Sequence, residues 1–244
     1  MTSTRALDVR AYPIDDPQGS TLAFASVALD GVAAIRGIRV VDSEKGVFVS
    51  MPQSKDRDGN FRDIAFPLDG DLRKELSDAV LEEFVYQAGL DPNERGYEKP
   101  ELDAGSVRGM EDIDLEVRVF LLKKSQGNTV AYASVGFKVD GEDLMAIRGI
   151  RVVKSNRGLF VSMPQSKDKE GGFHDVAFPL ISDLRTELNK AVLAEYDNEK
   201  TTSRSDRRKG LDERLAAGAE KVAQQKAATP GRTDVAKSRA SALE

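Results

Sequence analysis

The side chains able to do chemistry are few, and most of them occur in pairs. His174 is the only histidine and cysteine is absent, which removes thiolate nucleophiles, thiolate metal sites and disulfides. It also leaves too few histidines for a Ser-His-Asp triad or a histidine metal cluster within a unit. Asp63 in FRDIAFP and Asp175 in FHDVAFP, each set between aromatic and aliphatic neighbours, are the candidate buried acids. Neither has a partner acid, base or nucleophile at a defined spacing. Glycine-rich phosphate loops of the P-loop or dinucleotide type are missing too. The residues point away from an enzyme, and no catalytic residue, metal or cofactor is expected. His174 stands where an earlier, matching segment has Arg62, and reads as a surface residue in the place of arginine.

What remains is positive charge at repeated positions. Ile-Arg-Gly-Ile-Arg-Val-Val occurs twice, setting Arg36 three residues from Arg39 and Arg148 three from Arg151. In a regular strand, residues three apart face opposite sides. One arginine of each pair is therefore expected to form an ion pair, with Asp63 in the first case and Asp175 in the second, leaving the other for phosphate. The loop Met51 to Phe61 alternates Lys55 and Arg57 with Asp56 and Asp58, and its counterpart alternates Lys167 and Lys169 with Asp168 and Glu170. Such a loop is either a finger gripping a phosphate backbone or a solvated turn of self-cancelling charge.

These pairs exist because the chain is a duplication. Residues 35–68 and 147–180 are identical at 25 of 34 aligned positions without a gap, and the match extends outward to units of about 80 residues, the size of small domains. The register shifts once, where the second copy carries four more residues beside Asp140-Gly141; an insertion with intact flanks belongs in a surface turn. Within the first unit Leu7 to Ile14, Thr21 to Leu29, Val32 to Val41 and Gly46 to Ser50 are rich in β-branched and aromatic residues and bounded by turn formers. They read as strands, with Asp30-Gly31 as a hairpin turn. Leu72, Leu76, Ala79, Val80 and Phe84 then recur at helical spacing, as do Leu184, Leu188, Ala191, Val192 and Tyr196. Asp71 and Asp183 lie at the N-terminal ends of these helices. The expected class is α+β, a tandem repeat of an antiparallel β-meander with one C-terminal helix. Aromatics fall at equivalent positions, Tyr12/Phe120, Phe24/Tyr132, Phe48/Phe160, Phe61/Phe173, Phe66/Phe178 and Phe84/Tyr196. At strand spacing they read as core rather than as platforms for unpaired bases.

The expected organisation is repeat one over 1–86, an acidic linker over 87–114, repeat two over 115–198 and a basic, Ala-rich flexible tail over 199–244. The formal net charge is −5, but its basic part is concentrated in repeat two and the tail. That distribution suits a polyanion-facing side, while acidic repeat one suits a protein partner. No apolar run of membrane-spanning length and no signal-peptide core is present, so a cytoplasmic protein without membrane contact is expected.

The segments GVFVSMPQSKDRDGNFRDIAFPL and GLFVSMPQSKDKEGGFHDVAFPL, each followed by a helix ending in Ala-Val-Leu, an acid and an aromatic, resemble the stage V sporulation protein G (SpoVG) septation-regulator family. The resemblance covers both repeats and neither the linker nor the tail. It implies homodimers formed through sheets and DNA- or RNA-binding regulators acting on cell division and gene expression. This chain would then be a covalent pseudo-dimer, with further homo-oligomers open to it. It also implies contact residues at and near the helix, here Arg73, Lys74, Arg185 and Lys190. The family's usual Ala-His-Pro is Ala-Phe-Pro at Phe66 and Phe178.

Overall fold

The structure is a computed structural model that describes residues 5–56, 58–90, 109–168 and 171–228. The chain divides into two compact units, Met1–Glu199 and Lys200–Glu244. Repeat one contributes β1 (Leu7–Pro13), β2 (Thr21–Leu29), β3 (Ala33–Ser43), β4 (Gly46–Ser50), β5 (Gln53–Lys55), β6 (Phe61–Asp63), β7 (Ala65–Pro67) and α1 (Gly70–Gly89). Repeat two contributes β8 (Ile113–Gln126), β9 (Thr129–Val139), β10 (Glu142–Ser155), β11 (Gly158–Ser162), β12 (Gln165–Lys167), β13 (Phe173–Asp175), β14 (Ala177–Pro179) and α2 (Ser182–Ala228). The α+β tandem predicted from the sequence is the architecture found.

The two Asp-Gly turns form as their residue types dictate, with φ of 52° and 64° at Asp30 and Gly31 and 54° and 77° at Asp140 and Gly141. Positive φ at both central residues is the turn whose twist matches a hairpin. The four extra residues of repeat two lengthen the arms of the β9–β10 hairpin around the same turn, Glu142 pairing with Val139.

The repeats are joined by strand exchange. β1, β2, β3 and β4 form an antiparallel sheet completed by β14 of repeat two, and β8, β9, β10 and β11 form one completed by β7 of repeat one. Phe178 pairs with Ala34 and Phe66 with Ala146. Each exchanged strand fills the stretch of a long strand's edge that β4 or β11 leaves open, which removes an unpaired edge. The Arg148 amide donates to the Ile64 carbonyl at 2.7 Å and the Leu68 amide to Leu144 at 3.2 Å. These bonds bracket Pro67 at a register position whose nitrogen faces away from β10, where proline costs no ladder bond. A single apolar core runs through both repeats, from Val27, Ile35 and Leu76 to Phe137, Ile147 and Leu188.

Asp71 and Asp183 do lie in the first turns of α1 and α2, and Asp69 caps α1, its carboxylate accepting from the Leu72 amide at 2.8 Å. Several expectations change. The linker is shorter than its composition suggests, because α1 runs to Gly89 and β8 begins at Ile113. The segment assigned to a flexible tail is helical as far as Ala228; Ala, Lys, Arg, Glu and Gln favour helix, and no proline interrupts them before Pro230. Of the twelve paired aromatics Tyr196 is core and Phe66, Phe84 and Phe178 pack against it, but the other eight are not buried. Phe61, Phe173 and Phe120 are 63, 66 and 60% exposed, and Phe24, Phe48 and Phe160 are exposed as well. The inner sheet faces bury small and aliphatic residues instead, such as Ala23, Ala25, Val27, Ile38 and Val40, which leaves the aromatics at alternate positions on the outer face.

The expectation for the arginine pairs fails because the strand is not regular. Opposite β2, the register jumps between Ser26↔Arg36 and Ala25↔Ile38, with Gly37 at φ 73°, and the second copy has Gly149 at φ 75°. This bulge inserts one residue, so that Arg36 and Arg39 share the outer face, as do Arg148 and Arg151. Nothing lies within 4 Å of a Cβ built on Gly37 or Gly149, so only backbone strain opposes a side chain there. Gly37→Ala and Gly149→Ala are each expected to cost about 1–2 kcal/mol, read as a lower urea midpoint at constant m value.

Candidate nucleic-acid interface on the outer sheet faces

A row of matched residues crosses the outer face of each sheet. In repeat one the register places Tyr12 beside Phe24, Phe24 beside Arg39 and Arg39 beside Ser50. In repeat two Phe120, Tyr132, Arg151 and Ser162 take the same order. Ser50 and Ser162 accept from the Arg39 and Arg151 guanidinium groups at 3.4 and 3.0 Å, which holds both arginines across the face. Phe48 and Phe160 lie two positions along, opposite Val41 and Val153. Arg36 stacks 4.7 Å over Phe178 and Arg148 4.5 Å over Phe66. Each contact joins an arginine of one repeat to an exchanged strand of the other, and stacking leaves the guanidinium edges open to acceptors.

The proposed ion pairs from these arginines do not form. Asp63 is paired with Arg73 at 2.8 Å and Asp175 with Arg185 at 3.0 Å, because β6 and β13 run toward the first turn of the following helix. Gln53 and Gln165 donate to the same carboxylates at 2.8 and 3.0 Å. Among the described residues no carboxylate pairs with Arg36, Arg39, Arg148 or Arg151. The helix residues are engaged at home as well: Lys74 lies 3.8 Å from Asp78 and Lys190 2.7 Å from Glu187. Uncompensated positive charge therefore sits on the sheets rather than on the helix starts.

The basic loops are framed by short strand pairs, β5 with β6 and β12 with β13. Asp56 pins the first, its carboxylate accepting from the amides of Asp58 and Asn60 at 3.0 and 2.9 Å and from Arg62 Nε at 2.7 Å. The Arg62 hydrogen bond, with the backbone donors, holds this carboxyl below the usual aspartate range. Asp168 pins the second, accepting from the Gly172 amide, with His174 Nε2 2.6 Å away in the place of Arg62. Asp56 and Asp168, which follow the two lysines, thus serve the turns. Lys55 lies 5.0 Å over the Phe61 ring and Lys167 lines the equivalent strand; Arg57 and Lys169 lie outside the described residues.

A cleft of about 660 Å³ opens where the two repeats meet, with Lys55 of repeat one on one wall and Tyr132, Arg148, Arg151 and Phe173 of repeat two on the other. Among the described residues no group of three or more carboxylates or histidines is placed to hold a metal, and no helix is long and apolar enough to cross a membrane. The sequence reading missed the outer-face rows. Their signal was the matched aromatic pairs, but the face they occupy depends on two glycine bulges and on the exchanged strands.

Known proteins that this chain resembles are SpoVG proteins. The SpoVG family profile matches residues 4–86 and 112–198. Among relatives that carry the name septation protein SpoVG, that of Priestia megaterium is 43% identical over 77 residues, 32% of this chain and 79% of the relative. Those of Symbiobacterium thermophilum and Archaeoglobus fulgidus are 36% and 39% identical over 86 and 80 residues, 34% and 33% of this chain and 61% and 93% of the relatives. Each alignment is one unit long, whereas the profile falls on both repeats and spans most of the chain, so the protein belongs to the SpoVG family with two family units in tandem.

Proposed function

We propose that this protein is a non-enzymatic nucleic-acid-binding regulator in which the two repeats act as one pseudo-dimeric body, linked to septation or gene-expression control. The observation that supports this most is the repeated outer-face row of exposed and half-buried aromatics and carboxylate-free arginines. Arginine recognises phosphate through planar, charge-assisted bonds, and an exposed ring offers any base a stacking surface. Lys55 and Lys167 flank these faces on the hairpins, and Arg57 and Lys169 add positive charge two residues further along the sequence. Arg73, Lys74, Arg185 and Lys190 contribute at the margin, since exposed ion pairs are worth only about 0–1 kcal/mol and yield to a phosphate. Residues 200–244, basic on balance, add non-specific attraction.

The test is fluorescence anisotropy with a labelled single-stranded RNA and a duplex DNA, at low and near-physiological salt, with and without residues 200–244. Affinity is expected to fall steeply with salt and to persist without the tail. Arg39→Gln with Arg151→Gln is expected to lower the salt slope by about 2, one per phosphate contact. The acidic surroundings of Arg5, with Asp69, Asp71, Glu75, Glu142 and Asp143, favour a second reading, a protein-interaction module. Absence of nucleic-acid binding at low salt, with salt-insensitive capture of a protein, would establish that reading instead.

A further inference from the structure

We infer that the cleft between the β5–β6 hairpin of repeat one and the outer face of repeat two holds a single unpaired nucleotide, making single strands the preferred ligand. The inference rests on the nucleic-acid reading above and assigns it a position. The walls carry the two chemistries a nucleotide needs. Tyr132 and Phe173 are aromatic, and the Tyr132 hydroxyl donates to Gln126 Oε1 at 3.1 Å, which fixes the ring. Lys55, Arg148 and Arg151 bring positive charge from both repeats into the same space. The one carboxylate lining it, Asp56, is already bonded to Arg62. The volume, about 660 Å³, lies within the roughly 300–1,000 Å³ typical of small-molecule sites.

The base stacks on Tyr132 or Phe173, while Arg148, Arg151 and Lys55 take the flanking phosphates. A base inside a duplex keeps both faces on its neighbours and cannot enter without being unstacked, so the cleft rejects duplex at the step where it gains most from a single strand.

The experiment measures binding of the full chain to a fluorescein-labelled 12-nucleotide oligouridine and to a 12-base-pair duplex. Tyr132→Ala with Phe173→Ala is expected to weaken oligouridine binding tenfold or more and duplex binding far less, so that the preference for the single strand is lost. Lys55→Glu, an exposed change in the other repeat, is expected to weaken the same binding about tenfold, and Tyr132→Phe to restore it to near wild type. If the wild-type chain binds neither probe, the nucleic-acid reading falls and this inference with it. If it binds and both the aromatic double variant and Lys55→Glu bind as tightly as wild type, the cleft assignment is overturned and the reading stands.

Discussion

Replacing Phe137 with alanine is expected to destabilise the whole duplicated unit by about 3–5 kcal/mol, the range for deleting a large buried aromatic. Phe137 is fully buried on β9 and belongs to a core that includes residues of both repeats. The size of the effect follows from the lost transfer free energy and from a cavity that two exchanged sheets cannot close by local collapse. The informative part is the form of the transition. Because β7 completes the sheet of repeat two and β14 that of repeat one, neither repeat can unfold and leave the other with a full sheet. Urea denaturation followed by far-UV circular dichroism and by tyrosine fluorescence should give one coincident transition, shifted to a lower midpoint. Two separated transitions, with only the second affected, would show that the repeats fold independently.

Arg5→Ala is expected to cost about 3 kcal/mol, far more than most changes near a chain end, because it takes the guanidinium from a buried carboxylate that otherwise accepts from the Ala6 amide at 2.9 Å. The Arg5 guanidinium lies 2.9 Å from Asp30, with side-chain exposures of only 7 and 2%, and it also donates to the Val139 carbonyl at 3.3 Å. Its second ion pair, to Glu142 at 2.9 Å, is different in kind because that carboxylate is 60% exposed. Glu142→Ala should therefore cost under about 1 kcal/mol. Arg5→Met combined with Asp30→Asn is expected to recover most of the loss, since Asn keeps the left-handed turn and removes the charge. Failure of that double variant to recover, measured by the same urea midpoint, would show that an uncompensated charge is not the source of the loss. Arg5 touches repeat two through Val139 and Glu142, so the contact also fixes one repeat on the other.

A good part of this protein could be read from its residues. The β-branched and aromatic content of Thr21–Leu29, the Asp-Gly turns and the 3.6-residue spacing of Leu72, Leu76 and Val80 are local signals, and each of these elements formed where its pattern lies. The duplication followed from identity between the copies, and the family from the motif that both copies carry. His174 reads correctly as a stand-in for Arg62 because the two occupy equivalent positions.

What the residues alone left undecided depended on distant contacts. Ala-Phe-Pro is too short to be a strand by itself, and it becomes one only because an open edge on the other repeat's long strand accepts it. Whether Arg36 and Arg39 oppose or share a face turns on one extra residue at Gly37, whose positive φ is fixed by the pairing of β2 with β3. Matched aromatics signal constraint but not direction, since a strand has two faces and burial decides between them. Asp63 could have reached several cations, and the crossing of β6 with the start of α1 gave it to Arg73. The sequence by itself determined the elements, the repeat and the family, because those are encoded in neighbouring residues. The tertiary structure decided which residues face outward together, because that is set by register, bulges and the exchange of strands between repeats.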